Sequence, residues 1–416
     1  MVTYGPVTDS IAITGVGVVS PLGDSPAAFR DALLRGDTGI RLDPSFASQG
    51  CRSVLSARVA GFEPAKWIPP MKLRRMDTTG PLALVAIRQA MEGAGYTVGE
   101  AGDPRTGVVL GTYSAGGQAT NEYLEALFKG GPSGAPALLF NSTVGNAAAG
   151  LAGLEYKLCG PNATISQKES SGLAALAAAV DLLRLDRADY VAAGGMDAIY
   201  DLFYRAHDRF AVMTDAREAD ETLAPFARTR GGFVLGEGAY VLWLQRAGPE
   251  RGRTAAPSGT LAEILGTGAA SDTSGINAWP DDPDTLARAM TLALEDAGLT
   301  PADVDVIYAS ANASPKLDYI EARAINQLFG SRPIVTSIKG AIGECSAAGA
   351  ASCASAILCG ALGKVPPIAG LRDPDSAASM LNLARTVVDA PGSIVLVNSV
   401  ASGGAVYSAV LRAPQA

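Results

Sequence analysis

The segment LVAIRQAMEGAGYT, Leu84–Thr97, returns as LARAMTLALEDAGLT at Leu286–Thr300. Each copy places apolar residues at helical spacing, closes on Ala-Gly and precedes a short apolar run, Gly107–Leu110 and Val304–Tyr308. That order predicts a helix and then a buried strand in both places. A second echo pairs ATIS at Ala163–Ser166 and its Ala-rich sequel with IVTS at Ile334–Ser337 and the helix expected through Ala347–Leu358. The copies lie roughly 170 to 200 residues apart, too far for a solenoid and suited to a duplicated α/β unit. Strands alternating with helices predict parallel-rich sheets covered on both faces. Pro, Arg and Gly crowd Ala247–Gly259, marking a loop between halves expected at 1–257 and 258–416. Outside the echoes, Ile11–Ser20 reads as a buried strand ending in the turn Pro21-Leu22-Gly23. Helical spacing runs from Ser25 to Leu34 and from Met76 to Gly93, and a helix of small residues starts near Ser170.

Composition narrows the function classes. A chain of 416 residues, 48% hydrophobic and 18% charged, can bury a large core. Its net charge of -8 argues against nucleic acid and anionic membranes as partners. Charge or turn residues interrupt every apolar run before membrane-spanning length, and MVTYGPVTDS lacks a signal-peptide layout, so a cytoplasmic protein is expected. Five cysteines without a Cys-x-x-Cys pair, beside the single histidine His207, predict mostly buried thiols and neither metal nor cofactor. Cys345, Cys353 and Cys359 read as small packing residues of one Ala-rich helix. His207, within the charged run RAHDR, is expected near the surface, solvated or hydrogen-bonded. Gly116-Gly117 and Gly403-Gly404 do not fit a phosphate-binding loop.

Four further segments share one pattern. ITGVGVVSPLG at Ile13–Gly23, GPNATIS at Gly160–Ser166 and AAGGMDA at Ala192–Ala198 resemble, in this order, segments of ketosynthases. PFARTRGGFVLGEGA at Pro225–Ala239 is similar to a family segment reading PFDxxRDGFVxGEGA, with Ala227 and Gly231 each replacing an aspartate. The resemblance covers nearly all of the chain and implies the thiolase-like fold, a pseudo-duplicated α/β/α/β/α layering. Ketosynthases carry a cysteine nucleophile at a helix start and two histidines that support decarboxylation and carbanion formation. Here Glu169 stands three residues before Gly172, where the resemblance places the cysteine, with Gln167 two residues earlier as the alternative occupant. Ser310 opens SANASPKLD where the family has HGTGTPxxD, and Asn312 and Ser314 replace two threonines. Glu344, five residues after Lys339, takes the second histidine position. The gate segment NSFGFGG reads NSVASGG at Asn398–Gly404, without either phenylalanine. Lys339, Glu321 and Asp318 persist, and the resemblance implies a buried Lys339–Glu321 ion pair.

Chain length factors of type II polyketide synthases have this pattern of scaffold kept and chemistry removed. The resemblance therefore implies a non-catalytic acyltransferase subunit that forms a heterodimer with an active ketosynthase and shapes its acyl tunnel. It also implies that the strand at Ala163–Ser166 pairs across the dimer axis. The acyl carrier protein would dock mainly on the partner, since 41 acidic residues face 33 basic ones here, with Arg74 and Arg75 as a local exception. Ala115, Gln118, Asn121, Glu125, Leu139 and Phe140 are the tunnel and interface candidates. Gln118, Asn121 and Glu125 share a helix face by spacing, which equally describes a solvated face. Glu169 has two readings: the end of a capping box begun by Ser166, or one of an acid/base pair with Glu344. A decarboxylating loading subunit and a free-standing acyl-binding homodimer are the alternative functions.

Overall fold

The computed structural model describes residues 10–247 and 259–413. Its main sheet contains eleven strands: β1 (Ile11–Val19), β2 (Thr106–Gly111), β3 (Asn162–Ile165), β4 (Tyr190–Asp197), β5 (Gly238–Arg246), β6 (Ala262–Ser271), β7 (Val306–Tyr308), β8 (Ile334–Thr336), β9 (Asn382–Leu383), β10 (Ile394–Val400) and β11 (Ala405–Arg412). Their order is β9-β8-β7-β10-β11-β6-β1-β5-β4-β2-β3. Read inward from each end, the halves repeat: β3-β2-β4-β5-β1 corresponds to β8-β7-β10-β11-β6. They meet where Ile11–Ile13 runs antiparallel to Ala262–Ile264. The proposed boundary at residues 257 and 258 lies outside the described residues.

Seven helices organise the layers: α1 (Thr79–Gly93), α2 (Gly117–Gly130), α3 (Ser171–Arg184), α4 (Asp201–Arg209), α5 (Asp284–Ala297), α6 (Pro315–Phe329) and α7 (Ala348–Gly360). Alternate strand residues face opposite sides. Val108, Leu110, Val241 and Trp243 enter an outer core with α1, whereas Val109, Tyr240 and Leu242 enter a central core with α3 and α7. Val395 and Val397 join that central core from the other half, and Leu396 and Val410 turn outward onto α5 and α6. The layering is therefore helix, sheet, helix, sheet, helix, and the fold is the thiolase-like α/β duplicate.

Why the echoed helices look alike is visible at two Gly-x-Gly pairs. A Cβ on Gly15 or Gly17 of β1 would lie 2.0 or 1.8 Å from the carbonyl oxygens of Ala90 and Ala86 of α1. On β6, Gly266 and Gly268 meet Ala293 and Ala289 of α5 at 2.5 and 2.3 Å in the same way. Strand and helix approach this closely only with glycine on one side and alanine on the other. The expectation of parallel-rich sheets needs correction. Parallel ladders surround β2, β7 and β8, but β1, β5, β6 and β11 pair antiparallel. Four residues join β10 to β11, and so short a link returns the chain antiparallel.

Candidate functional site

Glu169 lies in a short 3-10 turn, Lys168–Ser170, immediately before α3. Its carboxylate is buried and accepts hydrogen bonds from Ser402 N at 2.9 Å and Ser402 Oγ at 3.0 Å. The capping-box reading is thereby corrected. Gln167, not Ser166, precedes the turn, and no side chain caps it. Gln167 is exposed, so Glu169 is the residue that enters the cleft. Ser170 and Ser171 spend their hydroxyls on Gln167 O and Lys168 O. Lys168 adopts φ 50° and sends Nζ to Asn277 Oδ1 at 2.7 Å and Ser402 Oγ at 2.8 Å. Burial lowers its pKa, opposed by the nearby Glu169 charge.

A second buried group sits behind β7 and β10. Lys339 Nζ donates to Glu344 Oε2 at 2.8 Å and to Ser310 Oγ at 3.1 Å. Glu344 Oε2 also accepts from Asn312 Nδ2 at 2.6 Å, while Oε1 has no partner. Ser310 Oγ accepts from Val400 N at 3.0 Å. The implied Lys339–Glu321 pair is corrected: the ion-pair partner of Lys339 is Glu344. Gly343, at φ 74°, turns the chain so that Glu344 falls back over the lysine. Glu321 instead accepts from Ser310 N at 2.9 Å and Asn398 Nδ2 at 3.0 Å, bracing β10 against α6. Asp318 holds Phe226 N at 2.7 Å and Asn312 N at 2.9 Å, with Arg230 Nε 3.4 Å away. Burial pushes the Glu344 carboxyl up to about 7 against the pull of Lys339. Burial likewise pushes Asp318 up to about 7 and raises Glu321.

The two groups meet at one cleft. An outer cavity is bordered by Tyr113, Glu169, His207, Phe233, Trp279 and Ser402, among others. An inner cavity shares Tyr113, Glu169, His207 and Phe233 and reaches Glu344, Cys345 and Ser346. Glu169 and Glu344 thus face one space, and the Glu169 charge contributes to raising Glu344. The surface placement of His207 is corrected: it is half-buried in this cleft, its Nδ1 bonded to Phe203 O at 2.8 Å. Its ring lies edge-on to Tyr113, and burial lowers its pKa. Cys345 precedes α7 rather than belonging to it, and burial holds its thiol well above the ordinary value. Cys51, Cys353 and Cys359 are buried, and Cys159 is exposed.

The tunnel candidates lie elsewhere, and none of them borders either cavity. Ala115 packs at the rim of the α1 core. Gln118 and Asn121 are half-buried on α2, whereas Glu125 is exposed and paired with Lys129. Gln118 bonds Glu122 one turn along. Leu139 and Phe140 occupy the turn Ala137–Phe140, where the Phe140 ring approaches Tyr123 of α2 at 5.6 Å. Among the described residues, no group of His, Cys, Asp and Glu is arranged to hold a metal ion. No helix among them is long and apolar enough to cross a membrane.

The Beta-ketoacyl synthase N-terminal domain matches residues 8–249, and the Beta-ketoacyl synthase C-terminal domain matches residues 261–372. The chain belongs to the beta-ketoacyl synthase family. A 3-oxoacyl-[acyl-carrier-protein] synthase 2 of Coxiella burnetii is 30% identical, covering 95% of this chain and 96% of that protein. The tetracenomycin polyketide synthase ketoacyl synthase beta subunit of Streptomyces glaucescens is 29% identical, covering 88% of each. The solved ishigamide ketosynthase/chain length factor superposes with a TM-score of 0.88 at 26% identity, covering 98% of this chain and 99% of that one.

Within this beta-ketoacyl synthase frame, sequence reading missed several residues that build the site. Asp197, at the end of β4, accepts from Tyr113 N, Ser114 N and Ser114 Oγ at 2.8–2.9 Å and from Ser346 N at 2.7 Å. It ties the turn after β2 to the approach to α7. Tyr113, Asn277 and Trp279 lie on loops with no periodic pattern to reveal them. His207 did carry a signal: it follows Phe203 by one helical turn, and both reach the inner cavity.

Proposed function

We propose that this beta-ketoacyl synthase chain is the non-condensing member of a heterodimer with an active ketosynthase, and that it sets polyketide chain length. The observation that carries the reading is the state of the three positions where the family's chemistry resides. Glu169 cannot accept an acyl group as a thioester. Ser310 and Glu344 are buried and bonded to Lys339 rather than free to move protons. The likeness to the ishigamide ketosynthase/chain length factor supports the same reading.

Partnership is supported by an open strand edge and by large apolar residues left exposed. Among the described residues β3 is the terminal strand of the sheet, with β2 as its sole neighbour there. Near it in sequence, Phe128 and Leu154 are each 81% exposed, and Leu138 and Phe140 are exposed as well. An open strand edge beside large exposed apolar residues favours a partner that continues the sheet. On this reading the partner's acyl tunnel ends against Ala115, Gln118, Asn121, Leu139 and Phe140. Carrier-protein docking belongs mainly to the partner.

A second reading gains one observation, because His207 brings an imidazole into the cleft. A decarboxylating loading role would need that cleft to accept a malonyl carboxylate. Glu169, Glu344 and Asp197 border the inner cavity and disfavour a fourth carboxylate, so the chain-length reading is preferred. The test is co-expression with a type II ketosynthase, comparing wild type with Leu139→Trp. Overpacking a wall costs about 1–3 kcal/mol and would fall only on intermediates that reach it. The first condensation should keep its rate while products shorten. Equal slowing of every extension would overturn the assignment.

A further inference from the structure

We infer that Lys168 and Glu169 act as a staple that holds two loops shut across the mouth of the cleft, closing this subunit to a pantetheine-sized ligand. The first loop, residues 272–279, carries Asn277 and Trp279. The second, residues 401–404, carries Ser402. Asn277, Trp279 and Ser402 all border the outer cavity. Backbone bonds already join the loops, from Gly403 N to Ala278 O at 2.9 Å and from Asp272 N to Gly404 O at 3.1 Å. The turn before α3 then fastens both of them. Lys168 Nζ reaches Asn277 Oδ1 at 2.7 Å on one loop and Ser402 Oγ at 2.8 Å on the other. Glu169 takes Ser402 N at 2.9 Å and Ser402 Oγ at 3.0 and 3.2 Å. Ser399 Oγ adds a bond to Glu169 O at 3.3 Å. A continuous chain runs from Asn277 through Lys168 and Ser402 to Glu169.

The staple depends on the residue types at three positions. Ser402 both receives from the ammonium and donates to the carboxylate, which a side chain without a hydroxyl could not do. Glu169 offers two acceptor oxygens, whereas a thiol there would offer one weak acceptor. Lys168 holds a left-handed φ of 50°, uncommon for a residue with a side chain, and its contacts to both loops offset that cost. The substitution at 169 therefore does more than delete a nucleophile: it shuts the entrance. Only the identity of the excluded ligand, an acyl-pantetheine thioester, rests on the proposed function. The closure is a property of the chain itself.

Hydrogen–deuterium exchange of the full chain tests this, with readings on peptides covering residues 272–279 and 398–404. Glu169→Ala and Lys168→Met should each accelerate exchange in both loops at least tenfold, a change of about 1.4 kcal/mol. Glu169→Gln, which keeps an acceptor for Ser402 N, should fall between. Glu295→Ala, on an exposed face of α5, should match wild type. A second readout is alkylation of Cys345, which borders the inner cavity, by N-ethylmaleimide. It should be slow in wild type and faster in both opened variants. Unchanged exchange in the two loops of folded variants overturns the inference, as does acceleration spread over the whole chain. If Glu169→Ala fails to fold, Lys168→Met decides alone. Product length is not read in either measurement, so this inference and the chain-length assignment fail independently.

Discussion

Removing Glu344 tests the buried heart of the site most directly. The Lys339 and Glu344 side chains are 3% and 1% exposed, and their charged atoms are 2.8 Å apart. In Glu344→Ala the ammonium would keep a single partner, Ser310 Oγ at 3.1 Å, and Asn312 Nδ2 would lose its acceptor. Stranding a buried charge in this way costs about 3–5 kcal/mol. The orphaned amide adds on the order of 1 kcal/mol. The double variant Lys339→Met/Glu344→Ala removes both charges and should be destabilised far less than the sum of Lys339→Met and Glu344→Ala measured singly. The cycle should therefore report a coupling on the order of 2–3 kcal/mol. Urea unfolding of the isolated chain at fixed concentration, followed by tryptophan fluorescence, supplies the midpoints. If Glu344→Ala costs under about 1 kcal/mol, the level of an exposed pair, the buried-pair reasoning is refuted. A double variant as unstable as the sum of the singles refutes it equally.

Intact-mass spectra after incubation with acyl carrier protein substrates should show no acyl adduct, and Glu169→Cys should not restore condensation, because on the proposed reading Ser310 and Glu344 still stand at the imidazole positions. Neutralising the exposed Arg74 and Arg75 should change heterodimer turnover by less than tenfold, about 1.4 kcal/mol. Glu344, raised from 4.5 to about 7, binds a proton more tightly in the folded than in the unfolded chain. Its effect is thus to lower stability as pH rises from about 4.5 through about 7, by at most about 3 kcal/mol, and Asp318 acts in the same direction. Thermal unfolding from pH 5 to 8 should show a shallower fall in Glu344→Gln than in wild type; an identical slope contradicts the assignment. Phe128→Asp or Leu154→Asp should weaken co-purification with a ketosynthase at least tenfold, and undiminished capture would place the interface elsewhere.

The duplicated fold was legible because its cause is local. The Gly-x-Gly pairs of β1 and β6 and the alanines of α1 and α5 must be small wherever they meet, so the same letters recur in both halves. Strand direction was less legible, since it depends on which strands become neighbours and on the four-residue link after β10. At the site, the family resemblance pointed to Glu169, Ser310 and Glu344, but their partners were not legible. Lys339 was expected against Glu321 and instead takes Glu344, because the turn at Gly343 decides where that carboxylate points. Glu169 was expected to cap its own helix, and it reaches a loop more than 230 residues later. That contact also explains a substitution that looked independent. Ser402 stands where the gate segment that it resembles has a phenylalanine, whose side chain has no donor to give a carboxylate. A buried Glu169 without the Ser402 hydroxyl would keep only the backbone N–H of residue 402 from that loop, and Ser402 without Glu169 would leave the loop less firmly held. On the proposed reading, glutamate in place of the nucleophile and serine in place of the gate aromatic therefore support one another, so neither side chain should revert singly without loss of stability.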